Sequence, residues 1–279
     1  MSPDPAAPAR LHDLVVAFAQ TAQAVIDLGR GCEVQDLAQP TECPGWTVHD
    51  QISHVVGVEA WLEGHKDPRV DMPHYEHIRN DLGKKVEYAV EVRRGRTGAQ
   101  VVAELEDVLA QRLSTLRNPI LTDSSIINGP FGPDLAATVL LLRTFDVWTH
   151  EQDIRRALGR PGDLDSRAAS VFVSMVMLQL PKLIAKGAGL EPGQAVIIDV
   201  TGPTVARQGV RVVADEQGRP RGHEMPADLP PDGATTISLS TEAFTRRAAG
   251  RCSVSDTAYS VIGDDAIARR VLGALVVTH

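Results

Sequence analysis

The most informative part of the sequence is Arg143–Leu158, which reads Arg-Thr-Phe-Asp-Val-Trp-Thr-His-Glu-Gln-Asp-Ile-Arg-Arg-Ala-Leu. We predict that it forms the second half of a helix running from Asp134 to Leu158, because glycine and proline flank that range on both sides. Residues three and four apart share one face of such a helix. Along one face the side chains change from apolar to polar, in the order Leu135, Val139, Leu142, Asp146, His150 and Asp153. Polar groups buried on that face must pair with each other or bind an ion.

Earlier parts of the chain also carry helical periodicity, which predicts a bundle. Thr47 followed by Asp50 is a helix-start signal, and it predicts a helix that continues to about Glu63. The spacing of apolar residues predicts further helices over Leu11 to about Gly31 and over Thr97–Arg117, with a shorter one around Lys84–Arg94. Together with Asp134–Leu158, four long helices joined by loops favour a helical bundle.

Beyond Pro161 the pattern changes from helices alone to a mixture of helices and strands. Beta-branched and alternating runs predict strands, and amphipathic runs predict helices. The predicted strands are Ala195–Val200, Val210–Ala214 and Thr235–Leu239, and the predicted helices are about Asp165–Lys186, Glu242–Ala249 and Asp264–Val276. We therefore predict an α+β fold with two domains, a helical bundle over residues 1–162 and a smaller α+β domain over residues 163–279.

Composition excludes several classes of protein. Of 279 residues, 43% are hydrophobic, which is too many for a disordered chain, and the formal charge of −8 argues against a general nucleic-acid surface. Three cysteines without a Cys-x-x-Cys pair favour a reducing compartment. The most apolar stretches, Val171–Leu180 and Leu135–Leu142, are shorter than the ~20 residues of a membrane span, and Met1–Arg10 lacks the pattern of a secretory signal. We expect a cytoplasmic protein without nucleic-acid or membrane partners.

Three side chains are candidate metal ligands. Asp146 and His150 stand one helical turn apart, and His54 shares a face of the Thr47 helix with Gln51, so it points towards the bundle interior or its rim. Catalytic zinc sites use three imidazole and carboxylate ligands and leave one position open. A competing interpretation has Asp146 paired with Arg143 or Arg155, and His150 as a hydrogen-bonded core residue.

Two of these segments also resemble a known family. The run Cys43-Pro-Gly-Trp-Thr-Val-His-Asp-Gln-Ile-Ser-His54 and the run from Asp146 to Pro161 are similar to the second-helix and fourth-helix signatures of the mycothiol-dependent maleylpyruvate isomerases. That family has a DinB-like metal-binding four-helix bundle followed by a sterol-carrier-like domain. Shorter similarities extend the resemblance to most of the chain, at His77–Asn80 with Arg93-Arg94, Ser238–Phe244, Ala249–Arg251 and Ile262–Asp265.

The resemblance implies a site, two cofactors and a reaction. It implies that His54, Asp146 and His150 hold a divalent metal, with zinc expected, although the isomerase itself has glutamate where this chain has Asp146. It also implies that mycothiol serves as thiol cofactor or cosubstrate for a small electrophile, by cis–trans isomerisation or by S-transfer. The family places an important arginine in its second domain, which makes Arg251 the first candidate and Arg247 the second for binding a carboxylated substrate or the thiol.

Other interpretations stay open from the sequence. A metal hydrolase or lyase that needs no thiol, or a non-catalytic protein that binds a small molecule, would fit the same residues. Cys43, in a turn, is interpreted as structural, and Cys252 beside Arg251 is a weaker nucleophile candidate. His74 and His77 lie in a proline-flanked loop, where they are expected to face solvent or to line the wall of a pocket. The sequence leaves the oligomeric state open.

Overall fold

The computed structural model describes residues 10–228 and 232–278, and they form two compact units on either side of the Gly162–Asp163 bond. The N-terminal unit is mainly helical, whereas the smaller C-terminal unit contains a five-stranded sheet. The predicted α+β class, with a helical bundle before a smaller sheet-containing part, is confirmed. The segment for which no secretory signal is predicted lies outside the described residues, except for Arg10.

Helices that bury one apolar face build the N-terminal unit. The first helix, α1, packs against the fifth and sixth, and the third packs against the fourth, fifth and sixth. Burying a leucine or phenylalanine side chain contributes about 1.5–3 kcal/mol each, so this core is the main source of the unit's stability. The helices are α1 (Leu11–Arg30), α2 (Val34–Leu37), α3 (Val48–Leu62), α4 (Asp81–Arg94), α5 (Gly98–Leu116) and α6 (Ala136–Ala157). Fully buried core side chains include Leu14, Phe18, Ile52, Leu105 and Leu140.

The predicted start of α3 is confirmed in detail. The Thr47 hydroxyl accepts the backbone N–H of Asp50, and the backbone N–H of Thr47 donates to Oδ2 of Asp50 at 2.9 Å. Such a capping box satisfies two otherwise unpaired N–H groups, and a cap is worth about 1 kcal/mol. Gln51 and His54 of this helix both contact side chains of α6.

The predicted start of the last bundle helix at Asp134 was wrong. A hairpin precedes α6, in which β1 (Ile126–Gly129) pairs antiparallel with β2 (Gly132–Leu135), and Asp134 lies opposite Ile127. Gly132 and Pro133 belong to this hairpin and do not mark the start of the helix. Leu135 is consequently an exposed residue at the end of β2, so the buried apolar face of α6 begins later than predicted.

The C-terminal unit is one mixed sheet with helices. After α7 (Arg167–Met177), a short α8 (Leu180–Lys182) and a π-helical turn (Leu183–Gly187), the strands pair in the order β5-β4-β3-β6-β7. All neighbours are antiparallel except β3 and β6, which are parallel. The elements are β3 (Ala195–Thr201), β4 (Val205–Ala214), β5 (Pro220–Met225), β6 (Thr235–Leu239), α9 (Thr241–Ala248), β7 (Ser260–Ile262) and α10 (Asp265–Ala274). The sequence predicted neither edge strand, β5 nor β7, and it placed the start of β4 too late.

The helical run Arg167–Gly187 is longer than the apolar stretch identified from the sequence. With 21 residues it could cross a membrane by length and composition alone, but 61% of its most apolar window is buried inside the fold. Core helices of water-soluble domains have the same property, and the burial assigns this run to the core of its unit.

Candidate metal centre

Helices α3 and α6 bring the three predicted ligands together. Nε2 of His54 lies 3.1 Å from Oδ2 of Asp146, and Nε2 of His150 lies 3.6 Å from Oδ1 of the same carboxylate. One donor atom from each residue lies within 4.8 Å of the other two, a spacing at which they could hold one ion. Both imidazoles are buried, whereas the Asp146 side chain is 33% exposed, so the cluster opens on the carboxylate side.

The donor set suits a divalent cation. Two imidazole nitrogens and one carboxylate oxygen are ligands that zinc and similar ions prefer, and three such ligands leave a position free. The other ring nitrogen of His54, Nδ1, is buried and has no hydrogen-bond partner among the described residues. Within the part of the chain that the structure describes, the polar contact of the His54 ring is the one between Nε2 and Oδ2 of Asp146. The residues present fit a bound metal ion.

The charge states of the cluster follow from burial and from the neighbouring charges. Burial would raise the pKa of Asp146, but Arg143 and the two histidines outweigh it and hold that pKa well below its usual value. Burial and the charge of His150 lower the pKa of His54 to about 4, against the attraction of Asp146. Burial also opposes the charged form of His150, yet Asp146 and Asp153 raise its pKa. At neutral pH an ionised Asp146 thus faces a neutral His54.

Side chains of alternating charge form a row that leads from Asp146 to Glu63. Arg143 donates from Nη1 to Oδ2 of Asp146 at 2.9 Å and from Nε to Oε1 of Glu59 at 2.7 Å. Nε of Arg112 lies 3.2 Å from Oε2 of Glu59, and its Nη1 donates to Oε1 of Glu63 at 3.0 Å. Glu59 is fully buried between the two arginines. We call these five residues the charge row.

The charge row bears on the competing interpretation of Asp146. Asp146 does pair with Arg143, as that interpretation holds, whereas Arg155 contacts Glu151 instead, at 2.6 Å. The ion pair occupies Oδ2 of Asp146, and Oδ1 faces His150. The same carboxylate is therefore both an ion-pair partner and a member of the histidine cluster.

Trp46 forms a wall beside the two imidazoles. Its ring centroid lies 5.0 Å from that of His54 and 5.7 Å from that of His150. Its indole N–H donates to Oε2 of Glu87 at 2.8 Å, and the same oxygen lies 2.8 Å from Nε2 of His77. Trp46 is thus held in place by a buried carboxylate, and His77, whose side chain is 21% exposed, contacts the same carboxylate.

The sequence missed most of the residues that support the cluster. The sequence pattern places Gln51 on the same helix face as His54 without assigning it a role, and it assigns no role to Thr41, Glu59 or Glu87. Glu59 did carry a signal, because it stands between Val58 and Ala60 in an otherwise apolar turn of α3, where a charge needs a partner.

The predicted arginines belong to the C-terminal unit. The guanidinium of Arg247 is buried and donates to the backbone oxygens of Leu272, Cys252 and Gly273. Burial lowers its pKa, and its donors hold neighbouring backbone segments together. Arg251 is half-buried and donates from Nη1 to the Ala249 oxygen at 3.0 Å. The role of either arginine in ligand binding stays a prediction.

Comparison with known proteins identifies relatives of this fold. Residues 18–155 match the family described as the mycothiol maleylpyruvate isomerase N-terminal domain. The chain also resembles a crystal structure of a mycothiol-dependent maleylpyruvate isomerase, with 17% identity and a TM-score of 0.54, and a histidine-to-alanine mutant of such an enzyme, with 16% identity and a TM-score of 0.55. Each match covers 90% of this chain and 92% of the other. No curated protein matches the sequence.

Proposed function

We propose that this chain, whose residues 18–155 belong to the mycothiol maleylpyruvate isomerase N-terminal domain family, is a metal-dependent enzyme that uses mycothiol to isomerise a small electrophile. One observation carries the proposal, namely that His54, Asp146 and His150 converge within that domain with their donor atoms within 4.8 Å of one another. We propose these three residues as the ligands of a divalent ion, with zinc as the first choice.

The surrounding residues would prepare the ligands. Arg143 holds Asp146 ionised and keeps Oδ2 in a fixed position, which leaves Oδ1 for the ion. The buried Trp46 ring lies beside both imidazoles, with ring centroids 5.0 Å and 5.7 Å away. A divalent cation supplies a positive charge that lowers the pKa of a nearby thiol, so that a thiolate exists at neutral pH.

Thiolate addition accounts for isomerisation without a net change in oxidation state. The sulfur of mycothiol would bond to one carbon of an electron-poor double bond, and the electron pair would move onto the conjugated carbonyl group. The former double bond is then single and can rotate. When the electron pair returns, the carbon–sulfur bond breaks, the thiolate leaves and the double bond forms again in the other geometry. Retention of the sulfur together with a proton would give the S-conjugate instead.

A carboxylated substrate or the thiol would need a cationic partner, and we propose Arg251 for this role. The guanidinium of Arg247 has backbone carbonyl partners for Nε, Nη1 and Nη2, so it is the weaker candidate. The proposed compartment is the cytoplasm, and it is supported by the absence of any disulfide among the three cysteines, all of which are described.

Metal analysis combined with titration of the thiol tests this function. The purified protein is assayed for bound metals, and mycothiol is titrated calorimetrically into metal-loaded and chelated samples. We expect about one divalent ion per chain and thiol binding that chelation abolishes. Thiol affinity that survives chelation would count against the proposal. The products are then followed with an unsaturated, cis-configured keto acid as substrate.

The product assay separates the alternatives. Accumulation of the trans isomer with unchanged thiol supports isomerisation, and accumulation of a stable thioether would replace it by S-transfer. Turnover without any thiol would identify a metal hydrolase or lyase. The variant His65→Ala is the control in each arm, because His65 is an exposed histidine outside the cluster.

A further inference from the structure

The hydroxyl of Thr41 has a direction that its surroundings dictate. Its oxygen lies 2.8 Å from the Trp46 carbonyl oxygen and 3.5 Å from that of Cys43. Both carbonyl oxygens can only accept, so the hydroxyl proton points at one of them. The oxygen then accepts from the Cys43 backbone N–H at 3.3 Å and from Nε2 of Gln51 at 2.8 Å. The donor and both acceptor positions of this hydroxyl are filled.

The buried amide of Gln51 is oriented in turn. Its Nε2 faces Oγ1 of Thr41 and, at 3.4 Å, Oδ2 of Asp153, and both of these oxygens accept. The amide NH2 must occupy that side, which turns Oε1 towards Nδ1 of His150. Rotating the amide by half a turn would place a carbonyl oxygen against a carboxylate and leave two N–H groups facing the imidazole.

From this chain of contacts we infer that Gln51, held by Thr41, is a positioning residue that fixes the proton of neutral His150 on Nδ1. An amide oxygen only accepts, so Nδ1 must donate to it. Nε2 then carries the lone pair, and this is the nitrogen that faces Asp146. The inference rests on the proposed function only for its purpose, because the lone pair of Nε2 is what a metal ion at this cluster would use.

Two carboxylates compete with Gln51 for the proton of His150. Oδ1 of Asp146 lies 3.6 Å from Nε2, which is beyond hydrogen-bond distance, and the other carboxylate, on the Nδ1 side, is that of Asp153. Its Oδ2 lies 3.7 Å from Nδ1 of His150, which is beyond hydrogen-bond distance, whereas Oε1 of Gln51 is in direct contact with that nitrogen. Removing an outer partner of a metal-binding histidine lowers metal affinity by about 10–100-fold in other metal sites. We expect a loss in this range for Gln51→Leu and a smaller one for Thr41→Val.

The test reads the tautomer first in the protein without metal. Nitrogen NMR on 15N-histidine-labelled, chelated protein at alkaline pH distinguishes the protonated from the bare ring nitrogen of His150. We expect Nδ1–H alone in the wild type, a mixture of tautomers in Thr41→Val, and recovery of Nδ1–H in Thr41→Ser. Zinc affinity, measured by competition with a chromophoric chelator, should fall in Thr41→Val and recover in Thr41→Ser.

Three results would overturn the inference. The first is an Nε2–H tautomer in the wild type. The second is that both Gln51→Leu and Thr41→Val keep the wild-type tautomer and zinc affinity. The third is that Asp153→Asn changes the tautomer while Gln51→Leu does not. A wild type that shows Nδ1–H but binds no zinc would support the hydrogen-bond chain and refute the proposed metal function. Circular dichroism of each variant confirms that the helices are intact.

Discussion

Nε2 of His54 lies 3.1 Å from Oδ2 of Asp146, although 92 residues separate them in sequence. One comes from α3 and the other from α6, so the contact exists only when these helices pack. An ion bound to both would bind the folded unit and not the unfolded chain, and binding would therefore stabilise the fold.

Replacing His150 by alanine should abolish retention of the ion. The variant removes one of the three proposed ligands, while the helix keeps its backbone hydrogen bonds and its buried apolar face. Metal content by mass spectrometry should fall close to zero, and helix content by circular dichroism should be unchanged. His65→Ala should retain the metal. Wild-type metal stoichiometry in His150→Ala would remove this residue from the ligand set.

Replacing Glu59 by glutamine should destabilise the protein by about 3–5 kcal/mol, the range found when one partner of a buried ion pair is removed. Glu59 is fully buried between Arg143 and Arg112, so its loss leaves two buried cations with too little negative charge. Urea unfolding measures the change. Glu106→Gln removes the partner of exposed Arg30, and it should change stability by less than about 1 kcal/mol. Equal effects of the two variants would contradict this account of the charge row.

Glu87 should make the protein sensitive to acid. Burial would raise its pKa, but hydrogen bonds from His77, Trp46 and Arg94 outweigh burial and hold the pKa below its ordinary value of 4.5. A carboxylate whose pKa is lowered by folding stabilises the fold above its unfolded pKa, and the contribution is lost as pH falls through the folded pKa. The stability of the wild type should therefore drop below about pH 4.5.

The variant Glu87→Gln tests that pH dependence. Because glutamine does not titrate, the variant should be less stable at neutral pH but lose less stability on acidification, as urea midpoints across the acid range will measure. Glu76→Gln, at an exposed position, should follow the wild-type curve. A parallel curve for Glu87→Gln would show that this carboxylate does not couple folding to protons.

Arg251→Ala should weaken binding of the thiol or substrate and leave metal content unchanged. The guanidinium is proposed to pair with a carboxylate, so the effect should appear mainly in KM. KM should rise about tenfold, which corresponds to the loss of one charge-assisted hydrogen bond of about 1.5 kcal/mol. Arg269→Ala, which removes an exposed partner of Asp265, is the matched control. Kinetics equal to wild type with every substrate tested would end the assignment of Arg251.

Local signals in the sequence predict most of the helices and the three residues that lie together in the cluster. That these residues are metal ligands stays a prediction. The start of α3 follows from Thr47 and Asp50, whose side chains act within one turn, and the spacing of Asp146 and His150 follows from helix geometry alone. The convergence of His54 with this pair was foreseen from the helix faces and from the family resemblance. Its geometry is present in the structure, and ion binding remains to be measured.

Interactions between elements were harder to predict. The contacts of Gln51 with His150 and of Glu59 with its two arginines depend on how α3, α5 and α6 are rotated about their axes, which spacing along one helix does not determine. The hairpin before α6 was missed because glycine and proline at 132 and 133 also fit a helix start. The edge strand β5 was missed because its side chains are half-buried or exposed and show no alternation.

The charge row has a consequence for anyone who surveys this protein by alanine substitution. Alanine at Glu59 or Arg112 would lower activity because it destabilises the fold. Neither residue needs to contact a substrate for this effect. A survey that measures only product formation would therefore count structural residues as catalytic ones. Measuring soluble yield and unfolding together with turnover would distinguish the residues of the charge row that act through stability from the residues that take part in the reaction.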